Sequence, residues 1–201
     1  MPGSVELADL RNKPFYDIDP QAKLHRPASA YLYVVFETFV TLTVYFNYDY
    51  LTTIYRQLGP ACMGAATAAL AQSLNQLMKY KFSDSRLLKF IVWGAINGLF
   101  TALWLDVLVV QVPSPIFRII IDQTIGAPLF QLTFTILSNM WDGDSQLTPA
   151  IQAAFIRSLR YSYCYWPFIS TAMFTLVPPE RMVICNCVAN FIWNVILSRL
   201  T

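Results

Sequence analysis

The amino-acid sequence predicts an all-α fold: a polytopic transmembrane helical bundle with four to six membrane segments plus an interfacial amphipathic helix. Long apolar stretches free of Asp, Glu, Lys and Arg follow one another along the chain: Gln57–Met78, Gln123–Trp141, Tyr161–Pro179 and Met182–Ser198. Phe90–Val112 is similar and contains only Asp106. Each stretch has about the 17–25 residues that a spanning helix needs. A chain that is 56% hydrophobic and 13% charged also has too little polar surface for a soluble protein.

Residues 1–27 are expected to form a polar N-terminal tail, and residues 28–201 the transmembrane bundle. The tail lacks both the apolar core of a secretory signal and the acid-poor composition of a mitochondrial presequence. The first apolar segment, Ala28–Tyr48, is interrupted by Glu37. A helix is favoured there because an unpaired strand leaves backbone groups unsatisfied in lipid. The sequence does not decide whether this segment crosses the membrane. A shallow position in the membrane is the simplest explanation for a charged residue, Glu37, near its middle.

Breaks that contain proline or glycine predict the later helix boundaries. They lie at Gly59-Pro60, Pro113-Ser114-Pro115, Asp142–Ser145, Thr148-Pro149, Pro167 and Val177–Pro179. After Pro149, the apolar residues Ile151, Phe155 and Leu159 recur at helical spacing among polar ones. This pattern is typical of a helix that lies in the membrane interface.

The composition predicts no metal, no cofactor and no catalytic residue. The four cysteines lie in or beside apolar segments, where a thiol behaves as a small hydrophobe. The single histidine, His25, is far away in the tail, so no His/Cys cluster for zinc or nucleophilic catalysis is expected. A net charge of +2 with dispersed basic residues excludes an ordinary nucleic-acid surface.

Asn186, Asn190, Asn194 and Ser198 recur every four residues in the last apolar segment. Residues at this spacing form one stripe on a helix, and polar side chains in hydrocarbon should face other helices or water. Hydrogen bonding between helices contributes about 0.6 kcal/mol per contact in membranes and explains the stripe more simply. A water-filled path is the alternative.

Four charged residues, Asp106, Arg118, Asp122 and Arg181, are expected at the same membrane face. Arg118 and Asp122 have the i,i+4 spacing that allows a salt bridge. The group forms either a charged opening for a solute or an interfacial ion-pair network. The candidate pathway or ion-pair residues are therefore Asp106, Arg118, Asp122, Gln123, Arg181, Asn186, Asn190 and Asn194.

The C-terminal two thirds also carry a family pattern. Its residues are Asp122-Gln123, Pro128, Trp166-Pro167, Phe174, Val177-Pro178, Arg181, Trp193-Asn194 and Leu197-Ser198. In order and spacing they resemble the twenty-two-kilodalton peroxisomal membrane protein family, which includes the mitochondrial inner-membrane protein Mpv-seventeen. The resemblance covers roughly Leu58 to Ser198. It implies a small helical bundle in a peroxisomal or mitochondrial membrane, with proposed roles in pore formation or metabolite permeation.

The chain departs from that pattern where the family usually has polar or helix-breaking residues. Ala68 stands where an acid is expected, Leu99 and Ala102 replace proline and histidine, Ser170 replaces glutamine, and Met173 replaces asparagine. These changes suggest a divergent member that keeps the packing and has lost or changed the pore.

Three functions follow as hypotheses. The leading one is a non-enzymatic protein of the peroxisomal or mitochondrial inner membrane that forms or supports a small-solute pathway. The second is a membrane scaffold that recruits proteins, or a second copy, through the tail and the Lys79–Lys89 loop. The third is a membrane enzyme that uses Asp106 and Asp122 as acid and base. The expected partners are the lipid bilayer, a small-molecule solute and other proteins, but no nucleic acid.

Overall fold

The computed structural model describes residues 27–79, 82–142 and 148–200. Within these ranges the chain is helical almost throughout and forms no β-strand, so the predicted all-α class is confirmed. Nearly all of the predicted tail lies outside the described residues. The same holds for Gly143–Ser145 of the expected turn.

In chain order the helices are α1 (Pro27–Phe46), α2 (Tyr48–Ile54), α3 (Leu58–Met78), α4 (Asp84–Gln111), α5 (Pro115–Ile121), α6 (Ala127–Trp141), α7 (Pro149–Ser162), α8 (Trp166–Leu176) and α9 (Pro179–Leu200). A π-helical turn, Asp122–Gly126, joins α5 to α6. The three pieces run together as one long helix, Pro115–Trp141.

Most boundaries agree with the sequence because prolines and caps set them. Pro115 and Pro149 occupy the first position of their helices, where the missing N–H costs nothing. Thr148 caps α7 by accepting a hydrogen bond from the Ile151 N–H at 3.4 Å. Tyr161–Pro179 is not one helix: α7 ends at Ser162, and Pro167 lies in the first turn of α8.

Two of the described helices are long and apolar enough to cross a membrane, Asp84–Gln111 and Pro115–Trp141. Tyr31–Phe46 is a shorter apolar helix. α3 and α9 have 21 and 22 residues, which is sufficient length, but their described parts contain no stretch as apolar as those of the first two. The predicted four to six crossings therefore stay a prediction.

Glycines bring α3 and α4 into direct backbone contact. A Cβ atom on Gly64 would lie 2.2 Å from the carbonyl oxygen of Gly94, and one on Gly98 would lie 2.1 Å from that of Pro60. The small residues thus allow close helix packing, as the sequence predicts. Ala68 belongs to this contact, since a Cβ on Gly94 would lie 2.6 Å from its side chain. An acid at position 68 would not fit there.

A buried apolar cluster supports one side of the bundle. It contains Tyr48, Met63, Leu105, Leu108, Met173, Phe174, Met182, Val183, Ile184 and Cys187. These residues come from α2, α3, α4, α8 and α9, so the cluster joins the N-terminal and C-terminal helices. Met173, which stands where the family has asparagine, is 3% exposed and completes this apolar packing.

Candidate functional site

A partly open pocket of about 90 Å³ with a mixed polar and apolar lining lies between α4, the long helix, α7, α8 and α9, and we call it the polar chamber. Its polar lining consists of Asn97, Thr101, Asp122, Gln123, Gln131, Ser158, Ser162, Asn186, Asn190 and Asn194. Trp93, Trp104, Trp166 and Trp193 supply aromatic walls. One water needs roughly 10–15 Å³ by this measure, so the chamber has room for several. Five of the eight candidate residues from the sequence line it.

The Asp122 carboxylate is the only charged group among the residues that line the chamber. Its Oδ1 accepts a hydrogen bond from Trp104 Nε1 at 2.8 Å. Its Oδ2 accepts from Gln123 Nε2 at 3.1 Å and from the hydroxyl of Ser170. Three donors from α4, the π-helical turn and α8 therefore stabilise one negative charge and hold these elements together.

The π-helical turn presents Asp122 and Gln123 to the chamber. Such turns insert an extra residue into the helical repeat and are frequent at functional sites. Gly126 completes the turn: a Cβ atom there would lie 2.9 Å from both Asp122 Oδ1 and Trp104 Nε1. Glycine is needed at this position because any side chain would enter the hydrogen bond between those two residues.

The asparagine stripe of α9 faces the same space. Asn186 Nδ2 donates to Thr101 Oγ1 of α4 at 3.3 Å, which is a hydrogen bond between helices. Asn194 Nδ2 donates to the carbonyl oxygen of Asn190 at 2.9 Å. Asn186, Asn190 and Asn194 all line the chamber, so the stripe both joins helices and makes a polar surface. The side chain of Ser198 lies outside the described part of the chain.

The expected charged group does not form one network. Asp106 pairs with Arg56 at 2.7 Å, and Arg181 pairs with Asp49 at 3.0 Å, both on the exposed surface. Asp49, Arg181 and Asp106 all lie near enough to the buried Tyr48 to act on it electrostatically. Exposed pairs of this kind contribute only about 0–1 kcal/mol each.

The expected salt bridge between Arg118 and Asp122 is not formed, which corrects the interpretation of their spacing. Arg118 instead donates to the carbonyl oxygens of Val112 at 2.6 Å and Val109 at 3.0 Å. Carbonyls at a helix C-terminus have no partner within the helix, so they attract a nearby guanidinium. Asp122 is turned inward, away from that surface.

Several residues of the chamber were missed in the sequence. Gln131 Oε1 accepts a hydrogen bond from Ser158 Oγ at 2.9 Å, and both side chains line the chamber. Ser170 does not line it, but its Oγ accepts a hydrogen bond from Gln123 Nε2 at 2.7 Å. A signal existed for two of them, because Ser158 and Ser162 lie one turn apart on α7. Both are buried, so this face of α7 packs into the protein. The interfacial position predicted for α7 stays a prediction.

An apolar groove of about 290 Å³ lies beside the chamber, between α4 and the long helix. Trp93, Asn97, Trp104 and Phe130 line both spaces and form the wall between them. In the described ranges no group of three His, Cys, Asp or Glu side chains is placed to hold a metal ion. The arrangement can hydrate and hydrogen-bond a small polar molecule.

Comparison with known proteins finds similarity to one family. The model of the Mpv17 / PMP22 family matches residues 139–198, which include α7, α8 and most of α9. Protein sym1 of Schizosaccharomyces pombe is 27% identical over 124 residues, which are 58% of this chain and 60% of that protein. No solved structure matches the chain. Both matches support the resemblance to this family that the sequence suggested.

Proposed function

We propose that this divergent member of the Mpv17 / PMP22 family forms a pathway for small polar solutes across an organelle membrane, with the polar chamber as its central compartment. Proteins of this family are integral proteins of organelle membranes, and the chain has helices able to cross one. One observation carries the proposal: amides and hydroxyls from several helices surround a shared space inside an otherwise apolar bundle. An ionisable residue inside a membrane protein, as Asp122 is here, often marks a solute or ion pathway.

The size and lining of the chamber support a particular kind of solute. Its volume is well below the roughly 300–1,000 Å³ of drug-sized ligand sites. Asp122 is the one charge on its wall, and its lone pairs already accept three hydrogen bonds. A negative charge repels anions, so the lining supports passage of small uncharged or cationic solutes. A larger metabolite requires the helices to move apart.

Reconstitution tests this proposal directly. Purified protein in liposomes should admit small polyols in an osmotic swelling assay, whereas protein-free liposomes should stay tight. Asn190→Leu places an apolar side chain in the chamber and should slow swelling several-fold. Val188→Leu on the exposed face of the same helix is the matched control and should leave it unchanged. Liposomes that stay solute-tight with correctly folded wild-type protein would refute the pathway.

If the liposomes stay tight, the scaffold hypothesis is the alternative. It depends on the N-terminal tail, which lies outside the described residues, and on the predicted Lys79–Lys89 loop, of which Asp84–Lys89 is instead the first part of α4. Lys89 is already engaged, since its Nζ lies 2.7 Å from Asp142 Oδ2. A scaffold would be favoured by two results together. The full-length chain should recover partner proteins that a tail-deleted chain does not, and liposomes that contain the protein should not swell.

We further propose a non-enzymatic role in the peroxisomal or mitochondrial inner membrane. An acid–base pair needs both groups at one site. Asp122 lines the chamber, whereas Asp106 pairs with Arg56 on the surface, so these carboxylates do not share a site. Tagged protein viewed against markers of both organelles distinguishes the two membranes.

A further inference from the structure

Helix α1 turns its single charged residue toward the protein. Glu37 is 7% exposed, while its neighbours Val35, Phe36 and Phe39 are each about two thirds exposed. Apolar side chains outside and a polar one inside are typical of a helix that faces lipid. The shallow position expected from the sequence therefore does not explain Glu37, because its carboxyl points away from the surface.

Among the described residues, helix α3 beside Glu37 carries no cation to balance a negative charge. Helix α3, which packs against α1, has no Asp, Glu, Lys, Arg or His, and Cys62 is its one ionisable side chain. Lys79 follows the end of α3, about 9 Å along the helix axis from Ser73. None of the ion pairs formed among the described residues includes Glu37.

The other elements near α1 add only weakly acidic or already paired groups. On α1 itself the ionisable neighbours are Tyr31, Tyr33 and Tyr45, and Tyr33 stacks on Phe82 with ring centroids 5.0 Å apart. Helix α2 contributes Tyr48, Asp49 and Tyr50, and Asp49 pairs with Arg181. Within α1, α2 and α3 no described side chain therefore offers Glu37 a positive charge. The start of α4, which reaches α1 through the contact of Tyr33 with Phe82, carries Asp84 and Arg86.

A serine hydroxyl faces the carboxyl. Ser73 is fully buried, and its side chain is the group that interacts with Glu37. The Oε2 atom of Glu37 and the Oγ atom of Ser73 are both buried without a partner in full hydrogen-bond geometry. An ionised carboxylate can only accept hydrogen bonds, whereas a protonated one both donates and accepts. The Ser73 hydroxyl can bond the carboxyl in either protonation state, so burial without a cation, and not Ser73, favours the neutral form.

We propose that Glu37 is a proton-binding site, a carboxyl that the fold holds in its neutral form against Ser73. An isolated carboxylate in apolar surroundings is so unfavourable that the group keeps its proton instead. The proton leaves for solvent only when α1 separates from α3 and water reaches the carboxylate. Binding of the proton and docking of α1 are thus linked. Glu37 does not line the polar chamber, so this site is independent of the solute pathway.

The linkage has a definite sign. The neutral carboxyl belongs to the docked state, so docking is complete at low pH and weakens as rising pH removes the proton. Glu37→Gln imitates the neutral form and should make docking independent of this titration. Ser73→Ala removes a hydroxyl that favours the ionised form of Glu37, so it should move the loss of docking to higher pH.

Carbodiimide labelling tests the site on the wild-type chain. Dicyclohexylcarbodiimide adds to protonated carboxyls in apolar surroundings, so at neutral pH the peptide that contains Glu37 should be modified. Labelling should fall as the pH rises. The exposed Glu180 is the control and should stay unmodified under the same conditions. Modification of neither residue in folded, membrane-reconstituted protein would overturn the proposal.

Infrared spectroscopy gives a second readout. The wild-type protein should show the carbonyl stretch of a protonated carboxylic acid at neutral pH, and folded Glu37→Gln should lack it. Glu180→Gln should retain it. If Glu37→Gln does not fold, the labelling result on wild-type protein still decides. A wild-type spectrum without a protonated carboxyl at neutral pH contradicts the site.

Discussion

Trp104 and Asp122 are joined by a hydrogen bond of 2.8 Å from the indole Nε1 to the carboxylate Oδ1, and Gly126 leaves just enough space for it. This contact links α4 to the π-helical turn across a sequence separation of 18 residues. It lies on the wall of the polar chamber, so the geometry of the chamber depends on it. Two of the predictions below concern this contact.

Replacing Gly126 by alanine should disturb the contact. The new methyl group would lie 2.9 Å from Asp122 Oδ1 and from Trp104 Nε1, so one of the two side chains must move. Overpacking of this kind costs about 1–3 kcal/mol. Thermal unfolding in detergent and tryptophan fluorescence should both report the change. Thr124→Ala, on the exposed side of the same turn, should stay within about 0.5 kcal/mol of wild type.

Neutralising Asp122 should change both stability and selectivity. In Asp122→Asn the amide nitrogen replaces one oxygen and meets the donors of Gln123 or Ser170, so a hydrogen bond to a charged group is lost. Such bonds are worth about 1.5–3 kcal/mol. If the chamber conducts, the preference for cations over anions in planar bilayers should decrease.

The matched control for this change is Asp106→Asn, which removes a carboxylate from an exposed ion pair. It should alter stability by about 0–1 kcal/mol and leave selectivity unchanged. If the two substitutions changed selectivity equally, Asp106 and Asp122 would act together at one charged opening, as the sequence predicts.

Gly64→Ala should separate α3 from α4. Its Cβ atom would lie 2.2 Å from the Gly94 carbonyl oxygen, which belongs to the backbone and cannot rotate away. We expect a loss of about 3 kcal/mol, at the upper end for overpacking. Guanidinium or thermal unfolding of purified protein measures it. Val92→Leu, on the exposed side of α4, is the control, and a Gly64→Ala variant equally stable would mean that this backbone contact is absent.

Arg118 should stabilise the protein by capping the end of α4, and not by pairing with Asp122. Arg118→Gln removes charged hydrogen bonds to Val109 and Val112, at a cost of about 1.5–3 kcal/mol. Amide hydrogen exchange near the end of α4 should accelerate. In a double-mutant cycle, Arg118→Gln and Asp122→Asn should be additive within about 0.5 kcal/mol. A larger coupling energy would indicate that Arg118 and Asp122 form the predicted salt bridge after all.

Local sequence signals were sufficient for the helices and most of their ends. Pro115, Pro149 and Thr148 act within one helical turn, so their effect is the same in any tertiary context. The spacing of the asparagines on α9 likewise predicts one stripe, because helical geometry alone places them together. Five candidate residues for the pathway therefore line one chamber.

Partner choice could not be predicted in the same way. Arg118 and Asp122 have the right spacing for a salt bridge, yet each finds a partner on another element or at another helix end. Ser170 appeared to be a loss of polarity relative to the family, but it donates to Asp122 from 48 residues away. Such contacts depend on which helices pack together, and spacing along one helix carries no information about that.

The sequence by itself determined an all-helical chain rich enough in apolar residues for a membrane, its proline-defined breaks, and a polar stripe on its last helix. Only the tertiary structure decided that Asp122 faces inward on a π-helical turn, that Gly126 makes room for Trp104, and that Glu37 lies against Ser73. The physical reason is the distance along the chain over which each effect acts. Hydrophobicity, proline and helical periodicity act between near neighbours in the chain, whereas burial and hydrogen-bond partners are set by helices that meet from distant parts of it.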